Sequence, residues 1–507
     1  MAQPLQTINL IAPGFKGINT EDSPLAQDPS FAELADNAVI DRRGRVAARK
    51  GNDVVTTDKT ELGTDRIHRI HRFYDDAGNE KLFSTGNNKI LSGTDTLVDE
   101  TPVAYSILAN DWKMFNFNNS CYFFQEGYEP LVYNNTLGVV TPMTGVVGSS
   151  VTPSQYCGEA VGAFGRLWCV GSTTDKSTVY WSDLLDGTDF TGGSSGSINV
   201  EKAWPKGFDE VQALAAHNNF LIIFGKTSIL VYQGANSPAT MSLVDTVVGV
   251  GCVDKNSVQS IGTDVLFLDS SGLRSFGRVM QQKSLPITEL SRNVKQDLIT
   301  LIQNKTEPVN SVYSPENYFY LLCFPDQQTI YCFDLRGNLE NGSYRITRWP
   351  SSSFTAFERD VSDGTLYIGS VDGLGTYNEY SDNGSSYRFK YFTPGLTFGD
   401  SSKTKFLKKI KPTLVGANSA TVFLKWAYDF NTFFRSQDYI VGNQQPAFFG
   451  ESEFNIGEFT GGQLTSRRSI NATGSGTVVT IGLESDINGF PLSIQEINLL
   501  ALIGKLL

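Results

Sequence analysis

The sequence predicts an all-β fold: a β-propeller of about seven blade-like hairpin units, with an inserted helix and a separate C-terminal β-domain. Three observations support this prediction. Hairpin-like segments recur along the middle of the chain at intervals close to a propeller blade, which takes about 40–50 residues. Glycine is frequent, with 48 of 507 residues, and aromatic residues make up 12% of the chain. Charged residues reach only 19%, a composition that argues against a coiled coil or a disordered chain.

Each hairpin unit has the same composition. An apolar strand rich in Tyr, Phe, Val, Ile and Leu leads into a short turn of Gly, Asn, Asp or Ser, and a second apolar strand follows. The units are 81–93, 121–135, 166–183, 219–234, 264–277, 318–334 and 365–380. Their uneven spacing favours a propeller with loop insertions, and the alternative is an irregular β-protein of several sheets.

The segment Glu289–Lys305 predicts one helix between the fifth and sixth hairpin units. Apolar residues at three- and four-residue steps give it a single apolar stripe. The stripe consists of Leu290, Val294, Leu298 and Leu301. Pro286 precedes the segment and Pro308 ends it. We expect this helix to pack on the flank of the propeller, and the alternative is a contact with a neighbouring subunit.

The two ends of the chain differ from the middle. Residues 1–60 contain few strand signals and hold the basic stretch DRRGRVAARKG, so we interpret them as an N-terminal arm and assembly segment. Residues 61–385 form the predicted propeller. Residues 386–507 are interpreted as a platform domain resembling a β-sandwich, because several of their segments alternate between apolar and polar residues. These segments are 405–416, 420–430, 475–485 and 490–504.

The sequence offers little material for catalysis. It contains no GxxxxGK[ST] loop, no GxGxxG after a strand and no HExxH. GGSSG at 192–196 matches GxSxG, but it lies in a turn of small residues without the strand and helix that motif needs. The six cysteines form no CxxC pair and there are only three histidines, so we expect buried free thiols. We therefore expect no enzyme activity, no catalytic residue, no cofactor and no metal.

The charge balance bears on partners. The chain has 41 Lys and Arg against 53 Asp and Glu, a net charge of −12, which disfavours a protein that grips nucleic acid. Two cationic runs are our candidates for contact with an acidic neighbouring subunit. They comprise Arg42, Arg43, Arg45 and Arg49, and Lys405, Lys408, Lys409 and Lys411. A solvated surface is the alternative and direct DNA contact the third option. No run of about 18 apolar residues and no basic, apolar leader occurs, so we expect neither membrane insertion nor a signal peptide.

Two stretches carry a family resemblance. GFKGINTEDSPLAQDPSFAELADNAVIDRRGRVAARKG at 14–51, and FLIIFGKTSILVYQG with VGVGCVDKNSVQSIGTDVLFLDSSGLRSFG within 220–277, resemble the tail nozzle proteins of short-tailed phages. This group includes tail tubular protein B and the packaged-DNA stabilisation proteins. LSRNVKQDL and TKFLKKIKPTL are similar to segments of the same group.

The resemblance implies a structural virion protein. Each copy would contribute a β-propeller to a homo-oligomeric ring, a hexamer, that extends the DNA channel, retains the packaged genome and conducts DNA at ejection. Adaptor and portal-side proteins and tail fibres or spikes would dock on it. Genomic DNA would pass without specific binding. The implied location is the virion tail, after assembly in the host cytoplasm.

The acidic balance leads to a hypothesis about the channel. Acidic side chains lining the bore would repel phosphate, so that DNA slides without sticking. The alternative function is a glycan-binding or glycan-cleaving β-propeller protein. Glycan cleavage would require two facing carboxylates in a central pocket.

Overall fold

The computed structural model describes residues 6–11, 14–103, 105–108, 110–143, 157–171, 174–282, 289–417, 419–442 and 465–504. Within these ranges the regular secondary structure is mostly β-strand, with two short α-helices and several 3-10 turns. Five short strands precede the first blade. They are β1 (Gln6–Leu10), β2 (Leu34–Asp36), β3 (Ala38–Ile40), β4 (Val46–Ala48) and β5 (Gly51–Val54).

Four successive four-stranded sheets follow, and in each of them every strand pairs antiparallel with the next. The first contains β6 (Arg69–Tyr74), β7 (Glu80–Gly86), β8 (Lys89–Ser92) and β9 (Val98–Asp99). The second contains β10 (Lys113–Phe117), β11 (Ser120–Phe124), β12 (Leu131–Asn134) and β13 (Thr141–Pro142). The third contains β14 (Glu159–Ala163), β15 (Arg166–Val170), β16 (Thr178–Trp181) and β17 (Gly196–Asn199). The fourth contains β18 (Val211–His217), β19 (Phe220–Gly225), β20 (Ser228–Gln233) and β21 (Ser242–Val248).

The remaining blades are less regular. The fifth contains β22 (Gln259–Ser260), β23 (Val265–Asp269) and β24 (Gly272–Ser275), and α1 (Phe276–Gln281) and α2 (Lys295–Asn304) follow it. The sixth contains β25 (Asn310–Ser314), β26 (Phe319–Phe324), β27 (Thr329–Asn338) and β28 (Tyr344–Pro350). The seventh contains β29 (Ala356–Arg359), β30 (Leu366–Ser370) and β31 (Gly373–Asn378), together with β5.

The C-terminal part adds eight described strands. They are β32 (Tyr387–Phe392), β33 (Lys405–Gly416), β34 (Thr421–Tyr428), β35 (Arg435–Ile440), β36 (Thr465–Arg467), β37 (Ile470–Asn471), β38 (Val479–Ile487) and β39 (Leu492–Ile503). Four of these, β33, β34, β38 and β39, correspond to the four alternating segments that the sequence predicts.

Tight turns set the hairpins of several blades. Two-residue Asn-Asn turns join β7 to β8, β10 to β11 and β18 to β19, and both asparagines of each turn have positive φ. That is the conformation a two-residue hairpin turn requires, and asparagine tolerates it better than most residues. These short connections place each apolar strand directly beside the next one.

The propeller fold is confirmed, and its ring is closed by the N-terminal segment. Strand β5 pairs antiparallel with β31, so residues that precede the first blade complete the last one. The innermost strands β29 and β6 are in contact, which joins the last blade to the first. The pairing of β5 with β31 requires glycine at position 51, because a Cβ there would lie 1.8 Å from the backbone oxygen of Ser381.

Six of the seven blades are separate sheets. The sixth blade, which contains the hairpin unit 318–334, is instead part of a nine-stranded sheet of order β25-β26-β27-β28-β2-β32-β38-β34-β35. Strand β2 is the link, because it pairs parallel with β28 and antiparallel with β32. The sheet therefore runs from the sixth blade into the C-terminal part, across the predicted domain border at residue 385.

A seven-stranded sheet completes the C-terminal part. Strand β33 pairs with β39, and β39 pairs with both β1 and β4. One large hydrophobic core contains residues from this sheet, from the nine-stranded sheet, from the fifth blade and from α2. The predicted arm over residues 1–60 thus supplies strands to both of these sheets and to the last blade.

The predicted helix begins later than expected. It starts at Lys295 after a 3-10 turn over Arg292–Val294, whereas the sequence predicts a start at Glu289. The backbone of Leu290 is bound to neighbouring strands instead, since its N–H donates to Leu273 and its oxygen accepts from Tyr344. Leu290, Val294 and Leu298 are buried in the large core and Leu301 packs against it, but only Leu298 and Leu301 lie within α2, so the predicted stripe is helical over its second half alone. Pro286 lies outside the described residues.

Candidate functional site

The structure separates the eight predicted interface residues into exposed and buried groups. Arg42, Arg43, Lys408 and Lys409 are exposed and Lys411 is half-buried. Arg45, Arg49 and Lys405 are buried. The prediction that these three lie at a surface interface is therefore wrong, and their contacts explain why.

Arg49 is a structural residue of the interior. Its side chain is 2% exposed, and its two Nη atoms donate to both carboxylate oxygens of Asp382 at 2.8 and 2.6 Å. Its Nε donates to Asn37 Oδ1 at 3.0 Å, and the guanidinium lies 4.1 Å from the ring centroid of Tyr387. Arginine suits such a site because its planar group can pair with a carboxylate and stack on a ring at the same time.

Arg45 and Lys405 are also tied to nearby groups. Arg45 Nε lies 2.6 Å from Asp41 Oδ2, and its Nη1 donates to Gln495 Oε1 at 3.2 Å. Lys405 Nζ donates to the backbone oxygens of Asp400 and Thr477. Burial lowers the pKa of Lys405 below its usual value. Neither side chain is available to a partner.

The exposed lysines of the second run lie on β33. The register between β33 and β39 shifts at Leu407 and Lys409, so Lys408 and Lys409 are both exposed while Leu407 and Ile410 are buried. Arg467 and the adjoining Arg468 are also exposed, and Arg467 lies on β36, which pairs with β33. We call the set Lys408, Lys409, Lys411, Arg467 and Arg468 the cationic face.

The cationic face has few acidic partners. Arg467 Nη2 lies 3.8 Å from Glu496 Oε1. Among the described residues, no carboxylate lies within 4.0 Å of the charged atoms of the other four. Most other cations of the described chain are paired, so this face is one of the places where exposed positive charge is available to a partner.

A second charged cluster lies at the propeller axis, and no motif in the sequence predicts it. It joins Arg69 of the first blade, Asp111 before the second and Lys255 before the fifth. Asp111 accepts from Asn256 at 2.9 Å and lies 3.2 Å from Lys255 and 3.6 Å from Arg69. Burial acts to raise the pKa of Asp111, but Lys255 and Arg69 outweigh it, so the pKa lies below its usual value. These side chains fill the middle of the axis.

Two cavities have residues of this cluster in their lining. One, of about 210 Å³, is lined by Asp111, Glu159, Asp254 and Lys255 among others. Another, of about 110 Å³, is lined by Arg69 and Lys113 among others. Burial raises the pKa of Glu159, the first residue of β14. In the part of the chain that the structure describes, no group of His, Cys, Asp and Glu is arranged to hold a metal ion.

A further cavity lies elsewhere, beside the first cationic run. It measures about 530 Å³ and lies between the sixth and seventh blades and the seven-stranded sheet, with Arg42, Tyr318 and Val415 in its lining. All six cysteines are free and buried, as the sequence predicts. No helix in the described ranges is long and apolar enough to cross a membrane.

Comparisons with known proteins add little to this picture. No family model matches the sequence, and no curated protein matches it. The computationally designed Ika8 protein is similar in structure, with 13% identity, coverage of 64% of this chain and 99% of its own, and a TM-score of 0.38. The WD40 β-propeller domain of Doa1 is similar at 13% identity, 64% and 96% coverage and a TM-score of 0.37. The propeller assignment rests on the sheet topology of the chain itself.

Proposed function

We propose that the chain is a structural virion protein, the tail nozzle of a short-tailed phage, in which copies form a ring that extends the DNA channel. The observation that carries the proposal is the cationic face, which has few acidic partners in a chain of net charge −12. A second copy also has a net charge of −12, so an acidic part of its surface would neutralise this face. Electrostatic complementarity of this kind fixes the register and orientation of partners.

Exposed apolar residues near an edge strand support assembly. Strand β35 pairs with β34 at one end of the nine-stranded sheet. Phe433 is 86% exposed, Ile440 67% and Phe430 55%, all within or close to β35. An edge strand with exposed apolar side chains is a template for pairing with another chain. Adaptor proteins, fibres or spikes, and neighbouring copies are the partners that would cover it.

The filled axis determines where DNA would pass. The axial cavities of about 210 and 110 Å³ are far too small for a duplex, and charged side chains line both of them. The bore of the proposed ring would therefore lie between copies, and the propellers would form its wall. The acidic lining of that bore remains part of the proposal.

Mass photometry of the purified full chain at low and high salt tests the assembly. We expect a ring that loses copies when Lys408→Glu and Lys409→Glu are combined. The matched control combines Lys202→Glu and Lys206→Glu, which makes the same charge change at two exposed lysines between the third and fourth blades. A monomer under all conditions, or equal behaviour of both double variants, would contradict the proposed ring. Antibody labelling of virions would then test for the protein at the tail tip.

A glycan-acting propeller is the second candidate. It is favoured by one observation, the presence of Glu159 with a raised pKa and Asp111 with a lowered pKa around one axial cavity. Carboxyl groups whose environments separate their pKa values are typical of an acid and its partner in glycoside hydrolysis. Incubation with mixed oligosaccharides, followed by mass spectrometry of the products, tests it. No cleavage and no retention on a glycan array would remove this candidate.

A further inference from the structure

The cavity between the sixth and seventh blades and the seven-stranded sheet has the size and the lining of a small-molecule site. It measures about 530 Å³. Ligand sites are clefts of roughly 300–1,000 Å³ lined mainly by apolar and aromatic side chains. Each of the three parts supplies such side chains here, with Phe319 from the sixth blade, Tyr377 from the seventh, and Ala47 and Val415 from the sheet. Segments far apart in the sequence therefore form one apolar wall.

The charged residues of the lining include more cations than anions. They are Arg42, Arg45, Lys50 and Arg336, against Asp41 and Glu316. Arg45 and Arg336 each have an Nε that lies 2.6 Å from a carboxylate oxygen. Glu316 pairs with Arg359, which lies outside the lining. These pairs leave two cations of the lining.

The remaining cations are Arg42 and Lys50. Among the described residues, no carboxylate lies within 4.0 Å of the charged atoms of either one. Arg42 is exposed and Lys50 is half-buried, so a ligand can reach both side chains. The turn that carries Arg42 is fixed, because Asp41 Oδ1 accepts two of its backbone N–H groups at 2.8 and 3.0 Å. The backbone N–H of Lys50 donates to Tyr377 Oη at 3.1 Å. Both cations thus start from a backbone that is already ordered, which lowers the entropic cost of binding.

Tyr318 adds an aromatic ring to the lining. It lies in the hairpin turn between β25 and β26 and is 50% exposed. Its φ is +58°, a conformation that Asn or Gly adopts more easily than an aromatic residue. The Arg336 guanidinium lies 5.8 Å from the centroid of its ring. An exposed ring at a position that suits a smaller residue indicates a contact made by the ring itself.

We propose that this cavity binds a small aromatic anion, whose acidic group pairs with Arg42 and Lys50 and whose ring packs against Tyr318. Arginine and lysine are the side chains that recognise carboxylate and phosphate groups. Aromatic rings attract one another at centroid distances of about 4.5–7 Å, and the apolar wall excludes water from the rest of the ligand. A cationic ligand fits less well, because the lining already has surplus positive charge. This site does not depend on the proposed tail function or on ring formation.

Isothermal titration of the full chain with 2-naphthoate tests the inference. We expect saturable binding that the combination of Arg42→Gln and Lys50→Gln weakens at least about fivefold, the effect of losing two partly exposed ion pairs. The matched control combines Lys202→Gln and Lys206→Gln, which removes two exposed lysines outside the cavity and should change the affinity less than about twofold. The neutral analogue 2-naphthalenemethanol should bind at least about fivefold more weakly than the naphthoate.

A second variant and a salt series separate the ring contact from the charge contact. Tyr318→Asn removes the ring and keeps a residue that tolerates positive φ, so the turn should be retained. We expect it to weaken 2-naphthoate binding about three- to tenfold. Added salt should weaken binding to wild type and to Tyr318→Asn alike, because it screens the two ion pairs, and should have little effect on the Arg42→Gln and Lys50→Gln combination.

Three results would overturn the inference. They are the absence of binding to the unmodified chain, equal affinity of wild type and the Arg42→Gln and Lys50→Gln combination, and equal affinity for the naphthoate and its neutral analogue. Should the combination fail to fold by circular dichroism, Arg42→Gln alone replaces it, because the Arg42 side chain is exposed. This variant should weaken binding at least about twofold, and unchanged affinity would likewise contradict the proposed site.

Discussion

Cations at the propeller axis and cations on the seven-stranded sheet have opposite environments. At the axis, Lys255 and Lys305 lie within ion-pair distance of carboxylates and their side chains are 12% and 23% exposed. On the sheet, Lys408 and Lys409 are exposed and lack a carboxylate within the described ranges. The axial cations hold blades together, whereas the sheet cations are available to a partner. The comparison shows that a cation's role follows from its burial and its partner.

The same contrast occurs within each predicted run. Arg42 is exposed while Arg49 is buried, although both belong to one basic stretch. Lys405 is buried and Lys408 is exposed, three residues apart on one strand. A run of like charges in the sequence thus predicts neither a common surface nor a common function.

Replacing Arg49 has the largest effect we expect. Arg49→Ala leaves Asp382 without its partner and opens a space beside Tyr387, so unfolding should require about 3 kcal/mol less free energy. Urea denaturation followed by tryptophan fluorescence measures the change. Arg42→Ala is the control from the same run and should shift the unfolding free energy by less than about 0.5 kcal/mol. If both variants changed the unfolding free energy by the same small amount, the burial of Arg49 would not make it more important for stability than the exposed Arg42.

Much of the fold could be predicted because the strong signals are local. Each predicted hairpin unit contains two paired strands, and the segment 405–416 has the bounds of β33. The closing strand β5 could not be predicted, since GNDV has one apolar residue and a glycine. Its conformation depends on pairing with β31, more than 300 residues later in the chain. The start of α2 differs from the prediction for the same reason, because the backbone of Leu290 is hydrogen-bonded to Leu273 and Tyr344.

The axial cluster could not be predicted from the sequence for a geometric reason. Arg69, Asp111, Glu159 and Lys255 are single residues at the start of different blades, without common spacing or motif. The position of these residues could be inferred only after the blades were assigned, because the residues at the start of each blade's inner strand lie near the axis. The charged run on β33 did not by itself predict exposure, because Lys408 and Lys409 are exposed through a register shift of the strand, and the burial of Lys405 depends on the oxygens of Asp400 and Thr477.

Replacing Asp111 tests the axial half of the comparison. Asp111→Asn leaves Arg69 and Lys255 without their carboxylate, and we expect a loss of about 1 kcal/mol near neutral pH, since the Asp111 side chain is 33% exposed and solvent screens the charges. Because the folded pKa of Asp111 is lowered, its stabilisation is complete above the unfolded pKa and is lost as the pH falls through the folded pKa.

Urea denaturation from neutral to acidic pH measures this dependence. The difference in unfolding free energy between wild type and Asp111→Asn should shrink as the pH falls below about 4, where Asp111 of the unfolded chain takes up a proton. Glu126→Gln serves as the control, because Glu126 pairs with Lys176 at the rim and its side chain is 40% exposed. A constant difference over the whole range would mean that Asp111 does not act through its charge.

The smallest effect is expected on the cationic face. Combining Lys408→Ala and Lys409→Ala removes two exposed side chains without ionic partners among the described residues, so the unfolding free energy should change by less than about 0.5 kcal/mol. Urea denaturation measures this change in unfolding free energy. It is done at protein concentrations where mass photometry finds single copies, so that assembly does not contribute to the measured stability. The same double variant should still reduce ring formation, since the charges act between copies. A decrease of more than about 1 kcal/mol in the unfolding free energy of the single chain would mean that these lysines have a stabilising partner within the chain. The contrast between the sheet cations and the axial cations would then be wrong.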